Sequence, residues 1–295
     1  MKPDKVAIIG AGPAGIACAI QLARYGIIPL LFERDIPGGL LKNANLVENY
    51  PGFPGGITGI SLTHKMTRQL ELSGVPLIHE KVINVYYKSV AYHIITDKKD
   101  YSSDLLVIAS GTSPIEYPQS NIDNRISYEV YPLRDVRNAV IAIIGAGDAA
   151  FDYALQLAPY NKVMIFNKSD TVKCLPLLRL RAKGLGQISY HENFILKQIL
   201  EETTSSCLKL FFQTKNEMES HLADYIIFAI GRRPELSYAD PGLISLFEQL
   251  QLEKKLYLVG DVKNDLLRQA SIAAGEGIRA AMQIYFNESN KKDLR

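Results

Sequence analysis

Tryptophan is absent from the 295 residues, and cysteine occurs three times, as Cys18, Cys174 and Cys207. The thiols are odd in number, far apart and in no C-x-x-C. That argues against a disulfide framework or a cysteine zinc site and suits a reducing, cytoplasmic setting. The net charge is only +2, so there is no electrostatic case for binding nucleic acid or a membrane surface. His64, His79, His93, His191 and His221 have no i, i+4 histidine partner and no serine or cysteine motif beside them. No metal site and no nucleophile–histidine constellation are expected. No apolar run approaches the ~18 residues of a membrane-spanning helix. The opening "MKPDKVAIIGAGPAGIACAI" reads as a strand, a glycine turn and a helix, not a secretion signal, because its glycines fall on a phosphate-binding spacing.

What is present fits a globular chain, with 47% hydrophobic and 22% charged residues and length enough for two domains. An internal repeat dominates. Residues Val6 to Arg34 and Ile141 to Ser169 superimpose without a gap at an offset of 135, from 145 − 10. Each copy reads as a β-branched strand, a glycine turn, a helix with apolar i, i+3, i+4 spacing and a second apolar strand. Such β-α-β units make parallel sheets that must be covered on both faces. The expected fold is therefore α/β, with two Rossmann-like three-layer nucleotide-binding domains. Proline and polar residues cluster at Pro114 to Pro118 and at Pro234 to Pro241, which suggests that the second domain is inserted in the first. The expected partition is residues 1–113 with 240–295, and 114–239.

In the first fingerprint, Gly10 permits the tight turn, Gly12 lets backbone approach a pyrophosphate, and Gly15 allows close helix–strand packing. The helix that follows turns its free N–H groups and positive dipole end toward the phosphates. Glu33, eighteen residues after Gly15 (33 − 15), ends the second strand, where a carboxylate can accept from a ribose diol. The second fingerprint is Gly145-Ala146-Gly147-Asp148-Ala149-Ala150, and the 135-residue offset makes Lys168 the counterpart of Glu33. A lysine there can meet a 2′-phosphate, which mildly favours NADPH over NADH. The alternative is a solvated surface lysine beside a site that has lost its ligand.

Further motifs follow in order: "GGLLKNANLVENYPGFPGGITGISL", "LLVIASGTSP", "FAIGRRPEL" and "LYLVGDVKNDLLRQASIAAGEGIRAA". With the two fingerprints they resemble the low-molecular-weight thioredoxin reductases over nearly the whole chain. The resemblance implies FAD in the first domain, held by Gly10, Gly12, Pro13, Ala14, Gly15, Glu33, Arg34, Gly39, Leu40, Asn49, Gly111, Asp261, Gln269 and Ala270. It implies NAD(P)H in the second, at Gly145, Gly147, Asp148, Ala149, Lys168 and Gly231, and a homodimer. Asp261 would accept from the ribityl chain. The helix after Gln269 would point its positive end at the flavin pyrimidine edge.

The chain departs from that family where its chemistry is most distinctive. A redox-active C-x-x-C stands there fourteen residues before the second fingerprint; the ungapped position here holds Tyr128 and Tyr131 (145 − 131 = 14). Tyrosine cannot supply the thiolate that takes electrons from reduced flavin. The basic His-Arg-Arg stretch is replaced by Asn167-Lys168-Ser169, and Leu40 stands for a glutamine. The expectation is an FAD-dependent NAD(P)H oxidoreductase without thioredoxin reductase activity and with no catalytic side chain of its own assigned. It would pass electrons to a small molecule or small redox protein, ferredoxin or flavodoxin being the leading guess. The competing reading is a non-catalytic flavin-binding redox sensor or scaffold.

Overall fold

Every residue of the strand Val6–Ile9 is buried. It lies in the middle of a five-stranded sheet that the computed structural model shows to be parallel throughout. The structure describes residues 5–118, 125–202 and 207–293. The sheet order is Leu256–Leu258, Leu105–Ile108, Val6–Ile9, Leu30–Glu33, Leu77–His79. Alternation puts Ala7 and Ile9 with Leu106, Ile108 and Phe32 on one face. There they pack against Val85, Tyr92 and Ile94 of an antiparallel meander formed by Val82–Lys88, Ala91–Thr96 and Asp100–Ser103. Helices Pro13–Arg24, Gly59–Leu72 and Ala270–Asp293 belong to this unit, the first and last packed closely together, as do the short helices Pro241–Ser245 and Phe247–Leu252. Pro13 opens the first of them at a position where the missing N–H costs nothing. Thr58 caps the second through its side chain.

The second unit repeats the plan. Its parallel order is Ile188–Glu192, Lys162–Asn167, Val140–Ile144, Tyr225–Phe228, Ile126–Ser127. One face packs Ile141, Ile143, Val163 and Ile165 on Ala150, Phe151, Ala154 and Leu157 of the helix Asp148–Leu157. The other packs Ala142, Phe166, Ile226 and Phe228 on Leu208, Leu210 and Phe212 of a second three-stranded antiparallel sheet. Each fully buried Leu, Ile or Phe contributes about 1.5–3 kcal/mol, so two such cores support two units. The α/β class and the three-layer plan read from the repeat are both present.

The partition differs in detail from the sequence expectation. One compact unit comprises Met1–Lys42, Val47–Ser113 and Arg233–Arg295, the other Asn43–Leu46 and Pro114–Arg232. The return falls at Arg233, not at residue 240, because the intervening segment already belongs to the first core. Tyr238 and Ala239 are buried there, Tyr238 O accepts the Val85 N–H at 2.8 Å, and Glu235 N–H donates to Gly111 O. The short piece Asn43–Leu46 groups with the second unit, where Tyr131 N–H donates to Asn43 Oδ1 at 3.1 Å. Proline clusters mark where a chain can turn; they do not report which core claims the residues beside them.

Candidate cofactor-binding sites

The first glycine turn is built by exclusion. A Cβ on Gly10 (φ +99°) would lie 2.5 Å from Ala109 O, and one on Gly15 would lie 1.9 Å from Gly10 O. Gly12, the residue that caps the helix, has nothing within 4 Å of that position. Two glycines are therefore spent on packing, while the third faces open space beside free N–H groups. That cradle fits the pyrophosphate of a dinucleotide. Gly38 N–H donates to Ala11 O at 2.7 Å, and a Cβ on Gly39 would come within 3.3 Å of Gly12 Cα. The segment carrying Gly39 and Leu40, a 3-10 turn over Gly39–Asn43, thus lies on the fingerprint.

Glu33 Oε2 accepts the N–H of Ala11 at 2.8 Å and Oε1 that of Asp35 at 3.0 Å. The carboxylate is tied to the turn it serves, with lone pairs left for a ribose. Arg34 is 3.8 Å from Glu235, a buried residue that sequence reading missed. Asn49 and Gln269, 220 positions apart, meet through Asn49 Nδ2 donating to Gln269 Oε1 at 2.8 Å. Ala270 begins the long closing helix immediately after. Asp261 sits in the 3-10 turn Gly260–Val262, which contacts the first helix where a Cβ on Gly260 would be 3.0 Å from Ala14 Cβ. Gly111 (φ +68°) has open space around it. The fourteen residues expected to hold FAD all fall in one unit.

The second turn obeys the same rule. A Cβ on Gly145 (φ +124°) would be 2.2 Å from Ala229 O, and Gly147 has only Lys173 O near, at 3.8 Å. Asp148 caps a neighbouring loop by accepting Leu175 N–H at 2.7 Å, Ala149 is exposed, and Gly231 (φ +125°) follows the crossover strand. The ladder corrects one expectation. Gly10 N–H bonds to Phe32 O, and Gly145 N–H bonds to Phe166 O. Glu33 therefore corresponds to Asn167, and Lys168 to Arg34. The constant offset hid a one-residue deletion between helix and strand. The side chains agree: Glu33 Oε1 accepts the N–H two residues on, and so does Asn167 Oδ1, from Ser169 at 3.3 Å. Asn167 is buried and also donates to Thr171 O and Tyr190 Oη. Lys168 is exposed.

The segment Tyr128 to Tyr131 is built into its own unit. Tyr128 Oη accepts Tyr117 N–H at 2.9 Å, and its ring leans on Phe228. Arg134 lies over the Tyr131 ring at 4.1 Å. Between them Glu129 pairs with Arg232 and accepts from Tyr153 Oη at 2.9 Å. Burial pushes the Tyr153 phenol up, so it stays a proton donor to that carboxylate. In the same helix as Tyr153 lies Asp152, whose carboxyl burial pushes up to about 6 although it accepts Asn45 N–H. Neither Glu129 nor Asp152 was singled out from sequence, because their partners are remote in the chain. Cys18, Cys174 and Cys207 form no disulfide, and burial pushes Cys18 up to about 12, which makes it inert. Among the described residues no group of three or more His, Cys, Asp or Glu could hold a metal, and no helix is long and apolar enough to cross a membrane.

Residues 4–277 match the pyridine nucleotide-disulphide oxidoreductase family. The chain belongs to it. Thioredoxin reductase 2 of Arabidopsis thaliana is 30% identical over 94% of this chain and 80% of its own length. A thioredoxin reductase of Chlamydia pneumoniae is 28% identical over 96% and 98%. The crystal structure of Lactococcus lactis thioredoxin reductase superimposes with a TM-score of 0.85 at 25% identity, covering 97% of this chain and 99% of that one. A bacillithiol disulfide reductase of Staphylococcus aureus shares the fold, with a TM-score of 0.76 at 17% identity. The chain is thus an oxidoreductase of thioredoxin reductase-like, Rossmann-type architecture. Thioredoxin reductase family proteins use FAD and NADPH, the cofactor pair that the sequence implied.

Proposed function

We propose that this family member takes hydride equivalents from NADPH or NADH onto FAD in the unit of Met1–Lys42, Val47–Ser113 and Arg233–Arg295, and delivers the electrons to an acceptor outside the chain. The observation that carries this reading is Tyr128-Glu129-Val130-Tyr131. Where the resemblance puts the dithiol relay there are two tyrosines and a glutamate, each engaged in contacts within its own unit. No disulfide joins Cys18, Cys174 and Cys207. Bound FAD would supply two-electron uptake with release singly or in pairs. The chain's part is to hold it through the Gly12 cradle, Glu33, Asn49, Asp261 and the helix start at Ala270. A small redox protein such as ferredoxin or flavodoxin is the favoured acceptor, and a homodimer in the cytoplasm the favoured state.

One observation favours the competing sensor reading. Asn167, at the ribose-facing place, has its amide engaged by Thr171, Tyr190 and Ser169, and Lys168 is the one cation next to it in sequence. The two readings separate in a single experiment. The FAD-loaded protein is mixed anaerobically with NADPH or NADH and the visible flavin absorbance followed, then oxidised ferredoxin, flavodoxin or thioredoxin is added. Rapid bleaching and reoxidation by ferredoxin or flavodoxin, but not by thioredoxin disulfide, is expected. Failure of both nucleotides to bleach the flavin overturns the enzyme reading in favour of the sensor.

A further inference from the structure

The long closing helix carries a Glu276-Gly277 pair that the fingerprint logic leaves without a task. Gly277 sets the distance: a Cβ there would lie 2.1 Å from Ala14 O and 3.0 Å from Cys18 N. The helix Ala270–Asp293 is therefore pressed against the first turn of Pro13–Arg24, directly behind the Gly12 cradle. At that contact Glu276, its side chain 14% exposed, reaches the turn Gly260–Val262. Its Oε2 accepts the Gly260 N–H at 2.7 Å and the Asn264 Nδ2–H at 3.0 Å, and Lys263 Nζ is 3.4 Å from Oε1.

This anchor acts where the backbone needs one. Gly260 has φ +75°, and Ala14 Cβ and Ala273 Cβ crowd it at 3.0 and 3.4 Å from a would-be Cβ. Gly260 is buried, and without Glu276 its N–H would lose the acceptor it has at 2.7 Å. Gly260 O in turn accepts from Lys263 N–H and Asn264 N–H, and Asn264 O accepts from Arg268 Nε at 3.1 Å. One carboxylate thus fixes both ends of a five-residue loop, Gly260 to Asn264, with Asp261 in its second place. Beyond Arg268 come Gln269 and the start of the helix itself.

We infer that Glu276 is a positioning residue for flavin: by holding Gly260 and Asn264 it sets the loop that presents Asp261, so that FAD meets a preformed site. The inference rests on the reading of this unit as the FAD site and deepens it. Holding the loop before the ligand arrives spares binding the ordering cost. A charge-assisted bond to a backbone donor is strong enough for that purpose. The hold needs an oxygen acceptor at that place, and a glutamine supplies one.

The test is FAD titration of the apoprotein, followed by flavin fluorescence, together with the apoprotein's own thermal melt and the visible circular dichroism of bound flavin. Glu276→Ala is expected to weaken FAD binding by about tenfold or more and to alter the flavin dichroism, with the apoprotein still folding but melting lower because the Gly260 N–H loses its acceptor. Glu276→Gln is expected to restore binding to within about threefold of wild type, since one amide oxygen can take both donors. Should Glu276→Ala not fold, Asn264→Ala carries the same test, with an expected loss of about threefold in affinity. Unchanged FAD affinity in Glu276→Ala or, in its place, in Asn264→Ala overturns the inference, as does a Glu276→Gln variant as weak as alanine. Wild-type protein that takes up no FAD overturns the flavin reading itself, a result distinct from both.

Discussion

Glu129 and Arg232, 103 residues apart, form an ion pair in which both side chains are about four-fifths buried, and Tyr153 Oη donates to the same carboxylate. Glu129 stands in the stretch where the resemblance leads one to expect a dithiol. Removing the acid takes one acceptor from the Arg232 guanidinium and deprives the buried Tyr153 phenol of its carboxylate. Glu129→Ala should therefore lower stability by about 1–3 kcal/mol, read as a lowered urea midpoint. Glu129→Gln should cost less, since its amide oxygen keeps one bond. An alanine variant as stable as wild type would show the pair to be incidental.

Tyr128 and Tyr131 are read as packing residues. Phenylalanine at 131 keeps the ring that Arg134 covers, and at 128 it loses only the acceptor for Tyr117 N–H. The double variant Tyr128→Phe/Tyr131→Phe should lose about 1 kcal/mol and keep the rate of flavin reduction by NADPH or NADH. A large fall in that rate would give the phenols a part in electron transfer that this structure does not.

Asp152 makes stability depend on pH in an unusual direction. Its ordinary carboxyl value is 3.8, and burial raises it to about 6 in the folded chain, with the Asn45 N–H opposing and Asp148 adding. Between those values the folded state binds more protons than the unfolded one, so this group's contribution falls as pH rises from about 4 to 6. Asp152→Asn can still accept from Asn45. Above pH 6 it should exceed wild type in stability by on the order of 2 kcal/mol, and below about pH 4 the two should converge. Parallel melting curves at all pH values would contradict the assignment.

His191 and His221 give the opposite slope. Their rings sit 5.2 Å apart among Phe166, Phe194 and Phe212, and burial holds both below the ordinary 6.5. The unfolded chain takes up these protons first as pH falls below 6.5, so stability present above 6.5 is lost on acidification through the folded values. Replacing both histidines with phenylalanine should flatten this acid limb of the melting curve. If the limb survives, other groups cause it.

Gly12 and Gly277 separate binding from folding. Gly12 has ordinary backbone angles and open space around it, so Gly12→Ala should melt like wild-type apoprotein yet fail to take up FAD. Gly277→Ala drives a methyl into Ala14 O and should lose about 1–3 kcal/mol or more of stability along with the flavin. Flavin uptake by Gly12→Ala would move the pyrophosphate away from this turn.

Much of this was legible because it is local. The two β-α-β units, both glycine turns and the parallel sheets follow from spacings within about thirty residues of chain. Asn49 and Gln269 each enter the FAD set through the resemblance, but their hydrogen bond to one another is not legible, since nothing in either neighbourhood predicts it. The register of Asn167 escaped an offset argument because a deletion in the helix–strand connection leaves the fingerprints aligned. Glu129, Asp152 and Glu276 were silent for a different reason. A carboxylate looks the same in sequence whether it faces water or a remote backbone donor, and their partners lie 103, 107 and 16 positions away.

The carbonyls of Ala109 and Ala229 each fill the space that a side chain at Gly10 or Gly145 would need. The chain length between turn and carbonyl is 99 residues in one unit (109 − 10) and 84 in the other (229 − 145). The same lock thus closes over two loops of different length. The two units differ by fifteen residues (99 − 84) in the intervening segment and by an acid against an amide at the strand end, yet the strand behind each turn comes home to the same atom.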